Sequence, residues 1–243
     1  MFSIFKKKYT LPSVLPTNYV DIHNHLLPGI DDGAATLELT TTLVAHMRAM
    51  GIYKAVATPH TFSGCWENTQ ETIQNAFTVA ISVADNQSFI KGCASEYMLD
   101  HSLVERVQSE NLLTIKDNFI LVELSYFNAP FDLYELLFEL KLKGYQIIFA
   151  HPERYKYFHS DFKHYEKLKN YDLDFQLNLL SLTGYYGPEV MKMTHKLLDA
   201  DMYSFSGSDI HHSRHTHAFG NLPVTYKNET KLIELLTKNE LFL

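Results

Sequence analysis

Apolar residues recur along the chain in two alternating patterns, short strand-like runs and longer runs with helical spacing. The short runs predict seven strands, at residues 19–23, 54–57, 90–95, 119–123, 146–150, 174–177 and 203–207. Between them, helical spacing predicts helices such as 37–50, which stops at Gly51, and 133–142, which stops at Gly144. Strands that alternate with helices are typical of an α/β fold with a largely parallel sheet, and seven of them suggest a barrel.

The alternation continues to the C-terminus, where Leu232, Leu235 and Leu236 predict an outer amphipathic helix over residues 229–238. No Gly/Ser linker, low-complexity stretch or repeat of fixed period divides the chain. A length of 243 residues also suits a single α/β barrel. We therefore expect an N-terminal extension at residues 1–18 and one domain at residues 19–243.

Composition narrows the class of protein. The formal net charge of −7 argues against a nucleic-acid-binding surface, so no nucleic-acid partner is expected. Cys65 and Cys93 are too few for a disulfide framework and fit a reducing cytoplasm. No segment approaches the ~20 apolar residues that span a bilayer, so we do not expect an integral membrane protein.

The first eight residues, MFSIFKKK, lack the apolar run and the cleavage site of a secretory signal. Their Phe and Lys residues could touch an anionic membrane surface, or they could form a frayed, solvated tail. The solvated tail is the simpler interpretation.

The segment Asp21-Ile22-His23-Asn24-His25 follows the start of the first predicted strand. In an extended strand, residues two apart face the same side, so His23 and His25 can converge on one metal ion. An isolated His-x-His pair is a weak signal, because ordinary surface histidines would also explain it.

Histidines and carboxylates recur where the other predicted strands end. These residues are His60, Glu96, Glu123, His151, Asp209 and His211. The carboxyl ends of parallel strands gather at one face, where active sites form in such folds. With Asp32 from the loop Gly29-Ile30-Asp31-Asp32-Gly33, the set comprises five imidazoles and four carboxylates.

This mixture of nitrogen and oxygen ligands suits Mn²⁺, Fe or Zn²⁺ better than Mg²⁺ or Ca²⁺. We take Mn²⁺ as the first expectation, with Fe or Zn²⁺ as alternatives. At roughly three or four protein ligands per ion, nine ligands with one bridging carboxylate can hold about three divalent ions. Their charge of about +6 exceeds that of the carboxylates, which predicts a cationic pocket for a phosphate dianion.

The segments DIHNHLLPGIDDGA, ATPH, SEY, VELSY, AHPERY and SGSDIHH resemble the motifs of the PHP superfamily, named for polymerase and histidinol phosphatase. More narrowly, they resemble its bacterial branch of metal-dependent protein tyrosine phosphatases of capsule and exopolysaccharide synthesis. The motifs run from Asp21 to about Phe219. The resemblance implies a PHP-type phosphoesterase domain at residues 19–243 with a distorted, TIM-like (β/α)₇ barrel.

The resemblance also implies a role for each candidate residue. The first metal would be held by His23, His25, Glu96 and Asp209. Glu96 would bridge to a second metal held by Glu123 and His151, and the third would be held by Asp32, His60 and His211. Arg154 in HPERY and Arg214 after SDIHH match two phosphate-binding arginines, the second at a shorter spacing from His211 than the family pattern.

The implied activity is the removal of phosphate from phosphotyrosine in the tail of a membrane-associated bacterial tyrosine kinase that controls capsule or exopolysaccharide synthesis. Water activated by the metals would attack phosphorus in line, with the arginines on the equatorial oxygens. Two alternatives stay open. The ligand set could serve a small-molecule phosphomonoesterase of histidinol-phosphatase type, or the protein could be a catalytically weak regulatory metal-binding module.

Other residues add one exclusion and two expectations. A cysteine-nucleophile phosphatase needs an arginine six residues after the cysteine, whereas Glu71 follows Cys65 and Leu99 follows Cys93 at that spacing, which excludes that mechanism. The side chains that could wall the cleft around a phenyl ring are Tyr126, Tyr155, Tyr185 and Tyr186. One of His212, His215 and His217 could touch the substrate.

Overall fold

Parallel strands form the centre of the fold in the computed structural model, which describes residues 9–243. The strands are β1 (Val20–Asp21), β2 (Lys54–Ala57), β3 (His60–Thr61), β4 (Ile90–Cys93), β5 (Glu96–Met98), β6 (Phe119–Glu123), β7 (Gln146–Ala150), β8 (Asp174–Asn178) and β9 (Tyr203–Gly207). All seven predicted strands are present. After a break of two residues, β2 and β4 are followed by the short strands β3 and β5, which the sequence pattern did not predict.

The strands form two parallel sheets with the orders β1-β2-β4 and β3-β5-β6-β7-β8-β9. Beyond the ends of β1 and β9, Asn24 and Ile210 form an isolated parallel bridge. There the backbone N–H of Asp209 donates to the carbonyl of His23 at 2.7 Å, and that of His25 donates to the carbonyl of Ile210 at 2.9 Å. The predicted α/β class with parallel sheets is confirmed.

Helices follow most of the strands and cover the sheets. They are α1 (Leu37–Ala49), α2 (Gln70–Ala80), α3 (Ala84–Gln87), α4 (His101–Ser109), α5 (Leu133–Leu142), α6 (Lys163–Asn170), α7 (Pro188–Asp199), α8 (Ser213–Asn221) and α9 (Glu229–Thr237). Capping fixes where several begin: the Thr36 side chain accepts from Leu39 N before α1, and Asp100 accepts from Leu103 N before α4. The predicted amphipathic helix near the C-terminus is confirmed as α9, whose Leu232, Leu235 and Leu236 are buried.

A small apolar cluster lies among the strands beneath their carboxyl ends. It includes Val56, Leu121, Ile148, Phe205 and Phe242. Because side chains two apart in a strand share a face, Glu123 lies on the same face as Leu121, one step nearer the carboxyl end. Because side chains alternate between the two faces of each strand, the face that contributes to this apolar cluster also carries the polar side chains of the site above it.

The described part of the N-terminal extension packs against the segment that precedes α9. Leu11 is buried, Val224 N donates to the Tyr9 carbonyl at 2.8 Å, and Thr10 bridges to Pro223. The two interpretations of residues 1–8, a membrane contact or a solvated tail, fall outside the described residues. Within residues 9–243, no helix has both the length and the apolar character needed to cross a bilayer.

Candidate metal centre

The nine candidate ligands come together at the carboxyl ends of the strands. Eight of them form three overlapping groups, and within each group one ligand atom per residue lies within 4.8 Å of the others. The groups are His23, His25, Glu96 and Asp209; His25, Asp32, His60 and His211; and His60, Glu96 and Glu123. The ninth, His151, has its Nε2 atom 3.1 Å from Glu96 Oε1.

Glu96 lies at the centre of this cluster and is completely buried. Its Oε2 atom is 3.1 Å from His23 Nε2, 3.1 Å from His60 Nδ1 and 3.4 Å from His25 Nε2, while its Oε1 atom faces His151. A carboxylate with neighbours at both oxygens has the geometry of a bridging ligand.

Hydrogen bonds at Nδ1, on the side away from Glu96, orient the imidazoles of His23 and His25. His23 Nδ1 lies 2.8 Å from Gln176 Oε1, and His25 Nδ1 lies 2.8 Å from Asp31 Oδ2. Each Nδ1–H donates to its oxygen, so the lone pair that Nε2 gains when it is deprotonated points towards Glu96. This is the arrangement in which an imidazole binds a metal ion through Nε2.

Several buried ligand atoms have no hydrogen-bond partner, and this observation tests whether the cluster fits a metal. They include His23 Nε2, His25 Nε2, His60 Nδ1 and Glu96 Oε2. His23 Nε2 and Glu96 Oε2 are 3.1 Å apart yet are not aligned for a hydrogen bond. Leaving one buried polar atom unpaired costs about 1–3 kcal/mol. Cations bound among these electron pairs would satisfy all four atoms, so the residues fit a metal centre.

The charges in the cluster move the pKa values of its members in opposite directions. Burial disfavours protonated His23, but the carboxylates of Glu96 and Asp209 outweigh it and raise its pKa to about 9. Burial lowers the pKa of His151 to about 4, and nearby Arg154 adds to this effect despite the hydrogen bond to Glu96. Without a cation, the cluster therefore retains a proton at its acidic centre while His151 stays neutral.

Two candidate ligands have backbone angles that L-residues rarely adopt. His151 has φ = 34° and Asp209 has φ = 53°, both in the left-handed region. Such conformations cost about 1–3 kcal/mol each and persist only where the surroundings hold them. Here the turn after His151 is held by the Arg154 N–H, which donates to the His151 carbonyl at 2.9 Å. The angles redirect each side chain at the end of β7 and beyond β9.

Close packing against glycines holds the His-x-His segment. A Cβ atom at Gly207 would lie 2.5 Å from the Cβ of His23, and one at Gly33 would lie 2.5 Å from the Cβ of His25. Real Cβ atoms do not approach that closely, so both positions require glycine. The two histidines thus have fixed backbone neighbours on either side.

Arg154 lies in the cleft with its guanidinium group between two tyrosines. Its Cζ atom is 4.7 Å from the ring centre of Tyr126 and 4.2 Å from that of Tyr186. Its Nη1 atom donates to Asp209 Oδ2 at 2.6 Å, and Asn178 Nδ2 donates to the same oxygen at 2.9 Å. Stacking and ion pairing together orient the guanidinium group beside the ligand cluster.

Arg214 is located differently. It is exposed near the start of α8 and is not among the residues that line the cleft. In the described part of the chain its side chain forms no hydrogen bond or ion pair with the cluster. His215, one helical turn from His211, is buried and accepts a hydrogen bond from the backbone N–H of His211 at 3.1 Å. It supports the backbone of a candidate ligand.

The four tyrosines expected to wall the cleft have different environments. Tyr126 lines the cleft, and its hydroxyl is 3.4 Å from His151 Nε2. Tyr186 stacks on Arg154. Tyr155 is buried, and its hydroxyl accepts from Leu124 N at 2.8 Å, so its role is structural. Tyr185 packs edge-on against His215 at 5.3 Å.

Sequence reasoning missed several residues that support the ligands. Asp31 accepts hydrogen bonds from His25 Nδ1 and from the backbone N–H groups of Gly33 and His60. Buried Asp21 accepts from Ser208 N at 2.9 Å and from Ser208 Oγ at 2.6 Å, which fixes the backbone just before Asp209. The motifs contain both aspartates, but the sequence has no signal that separates supporting carboxylates from ligands.

The cleft above the cluster has a volume of about 320 Å³ and a partly apolar lining. Its polar floor contains Asp32, His60, Glu96, Glu123, His151, Arg154, Asp209 and His211. Its other lining residues include Phe62, Trp66, Met98 and Phe127. These four were not singled out from the sequence.

Comparisons with known proteins agree with the motifs. Residues 19–219 match the family described as capsular polysaccharide synthesis, CpsB/CapC. The tyrosine-protein phosphatase YwqE of Bacillus subtilis (strain 168) is 29% identical over 233 residues, which cover 90% of this chain and 89% of that protein. The putative tyrosine-protein phosphatase CapC of Staphylococcus aureus is 27% identical over 199 residues, covering 79% of this chain and 76% of that protein.

A solved structure aligns with this chain at a TM-score of 0.74 and 25% identity, covering 82% of this chain and 84% of the other. It is described among crystal structures of YwqE from Bacillus subtilis and CpsB from Streptococcus pneumoniae, unique metal-dependent tyrosine phosphatases. The family that the motifs predicted is confirmed: the chain belongs to the CpsB/CapC family of capsular polysaccharide synthesis.

Proposed function

We propose that this chain is a metal-dependent protein tyrosine phosphatase with a centre of about three divalent ions. The observation that carries the proposal is the set of three overlapping ligand groups, whose buried Nε2, Nδ1 and Oε2 atoms lack hydrogen-bond partners. The relatives named as tyrosine-protein phosphatases support the choice of reaction.

The proposed ligand assignment is based on the three groups, with His151 added beside Glu96 and Glu123 and with His60 placed with Asp32 and His211. His23, His25, Glu96 and Asp209 would hold the first ion. Glu96 would bridge to a second ion held with Glu123 and His151, and Asp32, His60 and His211 would hold a third. His60 lies between these two, since its Nδ1 is 2.9 Å from Glu123 Oε1 and its Nε2 is 3.6 Å from Asp32 Oδ1. Mn²⁺ is the first choice for a mixed imidazole and carboxylate set, with Fe or Zn²⁺ as alternatives.

When bound, the ions would supply positive charge that polarises the phosphoryl group and makes water nucleophilic near neutral pH. The remaining work falls to side chains of this protein. Arg154, stacked between Tyr126 and Tyr186, has guanidinium donors besides Nη1 for the equatorial phosphate oxygens. A phenolate has a pKa near ~10 and leaves with little assistance from an acid, so no protein nucleophile or strong general acid is required.

For the physiological substrate, we propose the phosphotyrosine-containing tail of a membrane-associated bacterial tyrosine kinase that controls capsule or exopolysaccharide synthesis. The family description and the names of the relatives support this class of partner. A cytoplasmic location would bring the protein to such a tail. It is also consistent with the free thiols of Cys65 and Cys93.

We further propose that residues 19–243 form one domain in which the strands close into a distorted (β/α)₇ barrel. Counting β2 with β3 and β4 with β5 gives seven strand positions. The parallel bridge between Asn24 and Ile210 supports closure, because it joins the segments that follow the first and last strands.

The test of function is metal-dependent turnover with a choice of substrates. The protein is stripped with a chelator, reloaded with Mn²⁺, and assayed with a phosphotyrosine peptide, the matched phosphoserine peptide and histidinol phosphate. We expect no turnover after chelation, recovery with Mn²⁺ and a clear preference for phosphotyrosine. A preference for histidinol phosphate would identify a small-molecule phosphatase instead. Full metal content without turnover of any substrate would identify a regulatory module.

A further inference from the structure

Apolar side chains from two loops surround the opening of the cleft. Phe62 and Trp66 belong to the hairpin that follows β3, and Phe127 belongs to the loop that follows β6. Met98, at the end of β5, lies between these loops because the sheet order is β3-β5-β6. We call these four residues, three of which are aromatic, the aromatic mouth. The ligand assignment leaves this apolar surface without a role.

The hairpin side of the aromatic mouth is rigid. Phe62 N donates to the Trp66 carbonyl at 2.9 Å, and Trp66 N donates to the Phe62 carbonyl at 2.8 Å. Buried Asn68 holds the base of the hairpin by donating to the His60 carbonyl at 2.8 Å. The Trp66 ring stacks on the His60 ring at 4.6 Å with an angle of 14°. The indole is therefore fixed directly beside the metal centre.

The other side presents a phenylalanine to solvent from an anchored loop. The Ser125 carbonyl accepts from the Tyr157 hydroxyl at 2.9 Å, and Phe127 N donates to Ser125 Oγ at 3.2 Å. Even so, Phe127 is 91% exposed, and Phe131 in the same loop is fully exposed. Burying a phenylalanine side chain stabilises by about 1.5–3 kcal/mol. A ligand that covers Phe127 would gain binding free energy from that burial. Phe127 differs from Phe131 in that it also lines the cleft, where an aromatic side chain can contact a bound ligand.

The two sides of the aromatic mouth leave the sheet two strand positions apart, because β5 lies between β3 and β6. Neighbouring strands lie about 4.8 Å apart, so the loops after β3 and β6 leave the sheet roughly 10 Å apart. A planar ring held between two aromatic faces at 3.5–4.0 Å from each needs about 7–8 Å. The separation of the two loops therefore exceeds the thickness of a stacked phenyl ring, and an alkyl chain has no flat face to present to the aromatic side chains.

We infer that the aromatic mouth is the specificity-determining site that selects aryl over alkyl phosphomonoesters, with the phenyl ring of the substrate as its occupant. Trp66 and Phe127 contact that ring while its phosphate reaches Arg154 on the floor of the same cleft. The inference rests on the proposed phosphatase function and adds residues that separate phosphotyrosine from phosphoserine. The metal ligands alone do not make that distinction.

The test compares phenylphosphonate with methylphosphonate as competitive inhibitors of the Mn²⁺-loaded protein. The two compounds share the phosphonate group, and their P–C bond is not hydrolysed. They differ in that one carries a phenyl group and the other a methyl group. Trp66→Ala and Phe127→Ala should each raise the inhibition constant of phenylphosphonate by about three- to tenfold, which is the contribution of one aromatic contact. Inhibition by methylphosphonate should stay within twofold of the wild type.

The control is Phe138→Ala, which removes a half-exposed phenylalanine from α5, away from the cleft. Phe138→Ala should leave the inhibition constants of both phosphonates unchanged. Equal weakening of both inhibitors by Phe127→Ala, or no change in either, overturns the inference. Metal content is measured for every variant, because Trp66 touches His60 and its loss could act through the metal; Phe127 has no such contact with a ligand.

Direct binding separates a failure of this inference from a failure of the proposed function. Trp66 is the only tryptophan in the chain, so its fluorescence reports phenylphosphonate binding without turnover. If the wild type hydrolyses no phosphomonoester, the function fails while this titration still tests the ring site. Sedimentation of the wild type and Phe127→Ala examines the other possible occupant, a second copy of the chain. A change in association state with unchanged phenylphosphonate affinity would assign Phe127 to a subunit contact and overturn the inference.

Discussion

Glu96 is the residue on which most of the centre depends, because both of its carboxylate oxygens face candidate ligands. If it bridges two ions, Glu96→Ala should lower the metal content by more than one ion and reduce kcat strongly. His195→Ala is the control: this histidine lies on α7, where its Nε2 is 3.0 Å from Thr225 Oγ1. It should change neither quantity. Elemental analysis and a phosphatase assay on both variants decide the matter, and equal effects would mean that the centre lies elsewhere.

Arg154 is expected to act on the phosphate and not on the metals. Arg154→Ala should leave the metal content unchanged and lower kcat/KM by about 10²-fold, the effect of losing one preorganised donor worth ~3 kcal/mol. Arg214→Ala is the informative companion, since its side chain is exposed outside the cleft. We expect kcat/KM of that variant to stay within twofold. A loss as large as that of Arg154→Ala would mean that the start of α8, which carries Arg214, moves onto the bound phosphate.

The candidate ligands were predictable from single positions, whereas their supporting partners were not. His23 and His25 stand out because a two-residue spacing aligns them on a strand. Gln176 and Asp31, which hold their Nδ1 atoms, lie on β8 and in the loop after β1. Asp31 stands beside Asp32 in the same motif, but nothing in the sequence assigns either Asp31 or Gln176 to a histidine. Such partners depend on which strands become neighbours, and local sequence patterns do not encode that.

Among the elements, strands buried on both faces were predicted best. The bounds of β6 and β7 agree with the predicted ones, because near-continuous apolar sequence is typical of central parallel strands. The short strands β3 and β5 were not predicted, since the predicted strands ended at residues 57 and 95. Pro59, between β2 and β3, lacks an N–H donor and so interrupts the ladder of backbone hydrogen bonds there.

The contact of β9 with the His-x-His segment gives a prediction about packing. Gly207→Ala would place a Cβ atom 2.5 Å from the Cβ of His23, so one of the two strands must shift. We expect a loss of about 1–3 kcal/mol in the free energy of unfolding, together with weaker metal binding. Gly92→Ala in β4 is the control, since nothing lies within 4 Å of the added atom. Urea unfolding of the metal-free variants measures the difference, and equal stability of the two would refute the close contact.

For the whole molecule, metal binding should be linked to the uptake and release of protons. In the metal-free protein the carboxylates of Glu96 and Asp209 raise the pKa of His23 to about 9 against the effect of burial, so this imidazole is protonated at pH 7. An imidazole binds a cation only when it is neutral, so each binding event at that site must release a proton. Affinity for Mn²⁺ should therefore rise with pH up to about 9 and fall in acid.

The same linkage sets opposite pH trends for the two forms of the protein. A pKa raised by folding means that protonated His23 stabilises the metal-free fold below its unfolded pKa of about 6.5, and that this contribution is lost as the pH rises towards 9. Bound Mn²⁺ replaces the proton and gains affinity over the same interval. The Tm of the metal-free protein should thus fall between pH 6.5 and 9, while the gain in Tm on adding Mn²⁺ grows. Calorimetry at pH 7.5 in buffers of different ionisation enthalpy counts the protons released, and a count of zero would contradict a histidine-rich centre.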